Sequence, residues 1–156
     1  PPEDTSPDQP DLYHISCFIS DIEQTCQLLS TLWGLGPWRK VQQKLEKDWT
    51  ELVSGEPCEI KLAFTKLNPI VLELIQPVTG QPYWYKFIQE KGEGLNHIAF
   101  SVNDWQEMAA RLKSAGGKMV AGGVQDGMHW GYFRTEPGGI VVELEEKVGG
   151  KQQFQV

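Results

Sequence analysis

Gly94-Leu95-Asn96-His97-Ile98-Ala99-Phe100-Ser101-Val102-Asn103-Asp104 decides the fold. It opens on a glycine turn, alternates in character, and ends in Asn-Asp at a helix start. Ile98, Phe100 and Val102 fall on one face of a strand, and His97, Ala99 and Ser101 on the other. The apolar face predicts packing on a helix layer, while the small polar face looks elsewhere. A histidine at the head of that second face is the first sign of a site.

The pattern occurs once before, in Tyr13-His14-Ile15-Ser16-Cys17-Phe18-Ile19-Ser20-Asp21. His14 and His97 are 83 positions apart, as are Asp21 and Asp104. Shared chemistry at shared spacing predicts an internal duplication.

Outward from these strands, each half reads alike. The first strand spans about 12–19, and Ser20-Asp21-Ile22-Glu23 reads as a capping box with Ser20 as the cap. Ile22, Cys26, Leu29 and Trp33 form a helical apolar stripe, widened by Leu28 and Leu32, and Gly34 ends it. Three short strands are predicted at 38–42, 49–53 and 59–64, then a fourth at 70–75 after Asn68-Pro69. A connecting segment, 76–93, carries a short helix over 83–91. After the His97 strand, Asn103 or Asp104 caps a helix with Trp105, Met108, Ala109 and Leu112 inward, stopped by Gly116-Gly117. Strands follow at 118–121, 130–134 and 140–145, with Gly122, Gly123 and Gly127 read as a loop. Counting three of those four strand candidates in the first half, the order is βαβββ, linker, βαβββ. We expect a loose arm (1–11), one domain (12–147) built from modules 12–79 and 94–147, and a tail (148–156).

Composition sets limits. With 40% hydrophobic and 22% charged residues, the chain suits a soluble globular protein. No apolar run reaches membrane-spanning length and no signal peptide is visible, so a cytoplasmic location without membrane association is expected. A net charge of −7 argues against a nucleic-acid partner. Three irregularly spaced cysteines fit reduced, mostly buried thiols. Six tryptophans suit core or an apolar pocket without dividing between the two.

Each module offers one histidine early in its first strand and one glutamate in its last: His14 with Glu73, and His97 with Glu143. Singly, such residues are ordinary: a structural histidine, a solvated edge glutamate. Parity, however, puts all four on the face away from the helices. Two modules paired about a pseudo-twofold would gather them into one cup. Two imidazoles and two carboxylates suit one divalent ion that takes N and O ligands, such as Zn, Ni, Co, Mn or Fe(II).

The sequence resembles the vicinal oxygen chelate superfamily of glyoxalase I, methylmalonyl-CoA epimerase, extradiol dioxygenases and the bleomycin and fosfomycin resistance proteins. The likeness spans about 12–147. It is carried by His14 with Ser20-Asp21, Val71-Leu72-Glu73-Leu74, His97-Ile98-Ala99-Phe100 with Asp104, and Phe133-Arg134-Thr135-Glu136-Pro137-Gly138-Gly139 running into Val142-Glu143-Leu144. It implies an α+β fold of two paired βαβββ modules forming a curved, barrel-like mixed sheet. It also implies that His14, Glu73, His97 and Glu143 match the four metal-ligand positions. Residues 87–100 look most like methylmalonyl-CoA epimerase, although that family typically has glutamine where this chain has Glu73. The His-Glu-His-Glu set is that of bacterial glyoxalase I, but Phe18 and about Glu93 stand where arginines normally grip glutathione. Glutathione is therefore not the expected substrate.

The resemblance further implies epimerisation or isomerisation of a small 2-oxo or acyl-thioester substrate through a metal-stabilised enolate, with a carboxylate as base. Glu143, Glu73 and Glu59 are the candidate catalytic residues, Glu59 because its strand is read as facing the cup. Arg134 and Lys61 are candidates to grip a substrate carboxylate or phosphate, and His129 a candidate acid. The alternatives are a lactoylglutathione lyase-like enzyme, an extradiol dioxygenase, and a non-catalytic protein that sequesters a small molecule. A homodimer is expected.

Overall fold

The computed structural model describes residues 10–46, 57–125 and 127–147. The predicted strand at 49–53, nearly all of the predicted arm and the tail at 148–156 lie outside the described residues. The elements run β1 (Asp11–Phe18), α1 (Ile22–Trp33), β2 (Arg39–Leu45), β3 (Cys58–Leu67), β4 (Ile70–Thr79), α2 (Tyr83–Lys91), β5 (Gly94–Val102), α3 (Trp105–Ser114), β6 (Lys118–Gln125), β7 (Met128–Arg134) and β8 (Val141–Glu146). The strands form a single curled sheet in the order β2-β3-β4-β1-β5-β8-β7-β6. Two βαβββ units therefore lie side by side, joined through α2 in the chain and through β1 and β5 in the sheet.

The repeat is visible bond by bond. Asp21 caps α1 by accepting from the Gln24 amide at 2.9 Å, and Asp104 caps α3 by accepting from the Glu107 amide at 2.8 Å. Both pairs keep the 83-residue offset. The first cap thus falls on Asp21, one residue beyond the predicted Ser20. A carboxylate at that position satisfies an orphan amide and favours the positive end of the helix dipole. The predicted box partner Glu23 instead pairs with Lys40 of β2, and the Ser20 amide donates to Glu93.

Each helix covers the outer face of its own module. Ile22, Cys26 and Leu29 of α1 pack on Ile15, Ala63, Leu72 and Leu74. Trp105, Ala109 and Leu112 of α3 pack on Phe100, Phe133 and Leu144. The predicted α1 stripe is narrower than expected: Trp33 is 70% exposed, and Leu28 and Leu32 are also exposed. Only one flank of α1 meets the sheet, and Trp33 lies at its last turn beside the left-handed cap Gly34.

Two further expectations change. β6 continues to Gln125, so Gly122 and Gly123 are strand residues and not a loop. A Cβ on Gly122 would lie 2.8 Å from the Trp130 carbonyl oxygen, so glycine there permits close approach of β7. On β3, Ile60, Leu62 and Phe64 join the inner cluster, while Ala63 packs beneath α1. Those three large apolar side chains take the concave face, and alternation turns Glu59 and Lys61 outward.

The concave side holds its own core. Phe18 makes edge contacts with Tyr83 and Phe87, and Trp84 and Trp130 meet Tyr132. Fully burying such a side chain contributes roughly 1.5–3 kcal/mol, so α2 is anchored across the mouth of the cup by aromatic contact. Among the described residues, no helix is long and apolar enough to cross a membrane. Among the described residues Cys17, Cys26 and Cys58 form no disulfide, with Cys26 and Cys58 buried and Cys17 partly so.

Candidate metal centre

Register explains how four distant residues meet. β1 and β5 run antiparallel with His14 opposite Ala99 and Ser16 opposite His97, a twofold relation between the repeats. Each module's last strand then lies parallel to its first, with Glu73 opposite Ser16 and Glu143 opposite Ala99. In both modules the glutamate thus sits across from the residue two after the histidine. Ser16 and Ala99, both fully buried, are small enough to leave the space above them to the larger side chains.

His14, Glu73, His97 and Glu143 are all buried, and each offers a ligand atom within 4.8 Å of the others. The two imidazole Nε2 atoms stand 3.3 Å apart. Glu143 Oε2 lies 3.1 Å from His14 Nε2 and 2.9 Å from His97 Nε2; Glu73 Oε2 lies at 3.2 Å and 3.8 Å. Yet neither of those carboxylate oxygens has a directed hydrogen bond, and His14 Nδ1 has none either. Polar atoms this close but not aimed at one another share a common focus. Two borderline nitrogens and two hard oxygens around such a focus fit a divalent cation.

The surrounding shell orients the donors. Asn96 Oδ1 lies 3.0 Å from His97 Nδ1 and accepts from it, which leaves the Nε2 lone pair facing the cluster. The Asn96 amide nitrogen donates to the Tyr83 hydroxyl at 3.4 Å, fixing which end of the amide faces His97. Tyr132 lies over the His97 ring at a centroid distance of 4.5 Å, and Trp84 Nε1 donates to its hydroxyl at 3.1 Å.

Charge follows the same arrangement. Burial opposes protonation of His14, but the Glu73 and Glu143 carboxylates outweigh it and hold its pKa well above the ordinary value. Burial likewise opposes ionisation of Glu143, and His97 and His14 more than offset this, bringing it down to about 2. Tyr132 is pushed well up, first by burial and then by Glu143 and Glu73.

A small cavity of about 30 Å³ opens beside the cluster between the two edges of the curled sheet, with Glu73, Glu143, Trp84, Trp130 and Tyr132 among its walls. Glu145 lines it too. It is buried, and its pKa is raised well above the ordinary value by burial and then by Glu143. Sequence parity sets Glu145 on the same face as Glu143, but an acid near a strand end reads as solvent-facing, so it was not among the expected site residues. Trp130 lies opposite it on β7 and lines the same cavity.

The other predicted residues lie elsewhere. Glu59 accepts from Gln42 Nε2 at 2.6 Å on the outer face and does not join the cluster. His129 stacks on Trp105 and meets Glu146 at 2.6 Å, on the α3 side. Arg134 is exposed and pairs with Glu136 at 3.2 Å, and Lys61 shares the outward face of Glu59. Phe18, at one position where glyoxalase I would carry an arginine, is buried in the aromatic core against His97.

Comparison with known proteins supports the fold. The uncharacterized protein YqjC of Bacillus subtilis (strain 168) is 30% identical over 98 residues, covering 60% of this chain and 70% of that protein. Similar folds occur in the hypothetical protein BH1468 from Bacillus halodurans C-125 (TM-score 0.66, 23% identity, 95% of this chain and 99% of that one). They also occur in a variant Streptomyces coelicolor methylmalonyl-CoA epimerase in complex with 2-nitronate-propionyl-CoA (TM-score 0.67, 19% identity, 90% and 99%). The methylmalonyl-CoA epimerase from Mycobacterium tuberculosis is similar as well (TM-score 0.63, 20% identity, 92% and 91%). At these identities the structures share the fold alone. Residues 11–135 match the family model of the Glyoxalase/Bleomycin resistance protein/Dioxygenase superfamily, and the chain belongs to that superfamily.

Proposed function

We propose that this protein is a metal-dependent epimerase or isomerase acting at the carbon next to the carbonyl of a small 2-oxo or acyl-thioester substrate. The observation that carries the reading is the convergence of His14, Glu73, His97 and Glu143, all buried, with one potential ligand atom from each within 4.8 Å of the others. These four residues would hold the ion. A bound divalent cation would supply Lewis acidity to a substrate oxygen, making the neighbouring C–H easier to ionise.

The chain's own residues do the rest. Glu143, lying close to both imidazoles, is the anchored carboxylate. Glu73, near His14 but 3.8 Å from His97, is the one freer to turn toward substrate and take a proton. Delivery of a solvent-derived proton to the opposite face inverts the centre, and transfer from Glu73 to an adjacent atom isomerises the compound. The aromatic walls exclude water, which strengthens every charge interaction inside. The homodimer and cytoplasmic setting expected from the sequence belong to the same proposal.

Deuterium exchange into the α-carbon tests it, using metal-reconstituted protein with candidate acyl thioesters and 2-oxo acids. Wild type exchanges; Glu73→Gln keeps bound metal but slows exchange by roughly 10²–10⁴-fold; Glu143→Ala loses metal. A metal-loaded protein that exchanges none of these compounds yet binds an aromatic small molecule tightly is a sequestering protein instead. One that exchanges only a glutathione hemithioacetal is a lactoylglutathione lyase-like enzyme.

A further inference from the structure

The cavity holds one polar group that the four-residue cluster does not use. Glu145 is 6% exposed, its Oε2 has no hydrogen-bond partner, and it is not one of the four grouped ligand residues. Alternation along β8 aims it to the same side as Glu143 and into the cavity. Gln43 on β2 and Gln125 on β6, from the two edges of the sheet, also line that cavity. Trp84 and Trp130 supply the apolar walls. A buried acceptor left open in a cavity is satisfied when something enters that can hydrogen-bond it.

We propose that Glu145 is a specificity-determining residue: it accepts a hydrogen bond from a hydroxyl carried one or two atoms beyond the substrate's reacting carbonyl. This rests on the reaction proposed above and names its substrate class, a hydroxyl-bearing 2-oxo compound. The chemistry narrows the choice. A carboxyl group offers an acceptor oxygen whether or not it holds a proton, so a hydroxyl is satisfied in either state. A second carboxylate on the ligand would face Glu73 and Glu143 together and be repelled. A methyl group would leave Oε2 as bare as before. The space fits as well: about 30 Å³ accommodates a group the size of CH₂OH, given roughly 10–15 Å³ for a water-sized occupant. Bulkier parts of the substrate would extend outward.

The test compares pyruvate with hydroxypyruvate on the full chain loaded with Co(II), followed by the visible Co(II) spectrum and by titration calorimetry. Wild type binds hydroxypyruvate about tenfold more tightly, as one well-placed hydrogen bond allows. Glu145→Leu brings the two within about twofold without changing Co(II) uptake, and Glu145→Gln, which still offers an acceptor, keeps most of the preference. Equal affinities in wild type, no binding of hydroxypyruvate, or a preference that survives Glu145→Leu overturns the proposal. The wild-type comparison decides the matter even if Glu145→Leu fails to fold. Absence of Co(II) uptake would overturn the metal reading and this inference with it; uptake with equal affinities overturns this inference alone.

Discussion

Glu143 lies close to two imidazoles, and each acid–base partner changes what the other holds. In protein stripped of metal by a chelator, the raised pKa of His14 keeps its proton at neutral pH, with Glu73 and Glu143 as the favourable partners. A raised imidazole pKa adds stability that is fully present below the unfolded value of about 6.5 and is lost as pH climbs through the folded value. The lowered carboxyl of Glu143 adds stability present above the unfolded value of about 4.5. That contribution is lost as pH falls toward about 2. Metal must displace the His14 proton, so uptake at pH 7 should release about one proton per ion, and affinity should rise with pH until His14 is neutral. Calorimetry in buffers of different ionisation enthalpy counts that proton; a count of zero contradicts the assignment of His14 as a ligand. At this scale the sequence carried far. The two histidines and two glutamates were legible because parity and repeat spacing fix the face of a side chain. Glu59 reads onto the cup face in the sequence but lies on the outer face of β3, and Glu145 is not singled out there. Depth depends on partners distant in the chain: Ile60 and Leu62 took the inner face of β3, and Trp130 closed over the end of β8.

Among the elements, α1 and α3 begin in equivalent ways, and that equivalence is measurable. Asp21→Ala and Asp104→Ala each remove one capping acceptor from an exposed helix start. Each should cost about 1 kcal/mol, seen as a lower denaturant midpoint with an unchanged slope. Neither cap touches the four-residue cluster, so metal content should stay the same; a cap variant that lost metal would show the helices to be part of the site's support. The helices and most strands were legible because their periodicities and stops are local. The end of β6 was not, because Gly122 and Gly123 resemble loop punctuation until Trp130 is placed against them. The exposure of Trp33 was hidden in the same way, since a helical stripe shows which residues align but not how many turns the sheet covers.

For the whole molecule, the seam between modules matters most. Among the described residues, β1 and β5 are the only neighbours in the sheet that belong to different modules, and they carry His14 and His97. Glu73 and Glu143 come from β4 and β8, immediately outside that seam. An ion held by all four would therefore tie four central strands across the joint, and its binding energy would be lost only when the joint opens. Free metal at about 100 times its dissociation constant adds about 2.7 kcal/mol to the folded state. For a protein of this length that raises the melting temperature by roughly 5–10 °C. Calorimetric melts of chelator-treated and reloaded protein should each show one transition, displaced by that amount, and His97→Ala should remove the displacement. The alternative is specific. If the aromatic core under α2, from Phe18 through Tyr83 to Tyr132, held together after the seam strands had parted, the chelator-treated protein would melt in two transitions and the ion would displace only the first. A single transition whose displacement His97→Ala abolishes would tie ion binding at the seam to global unfolding, because the twofold register that pairs the strands is also what brings the four side chains together.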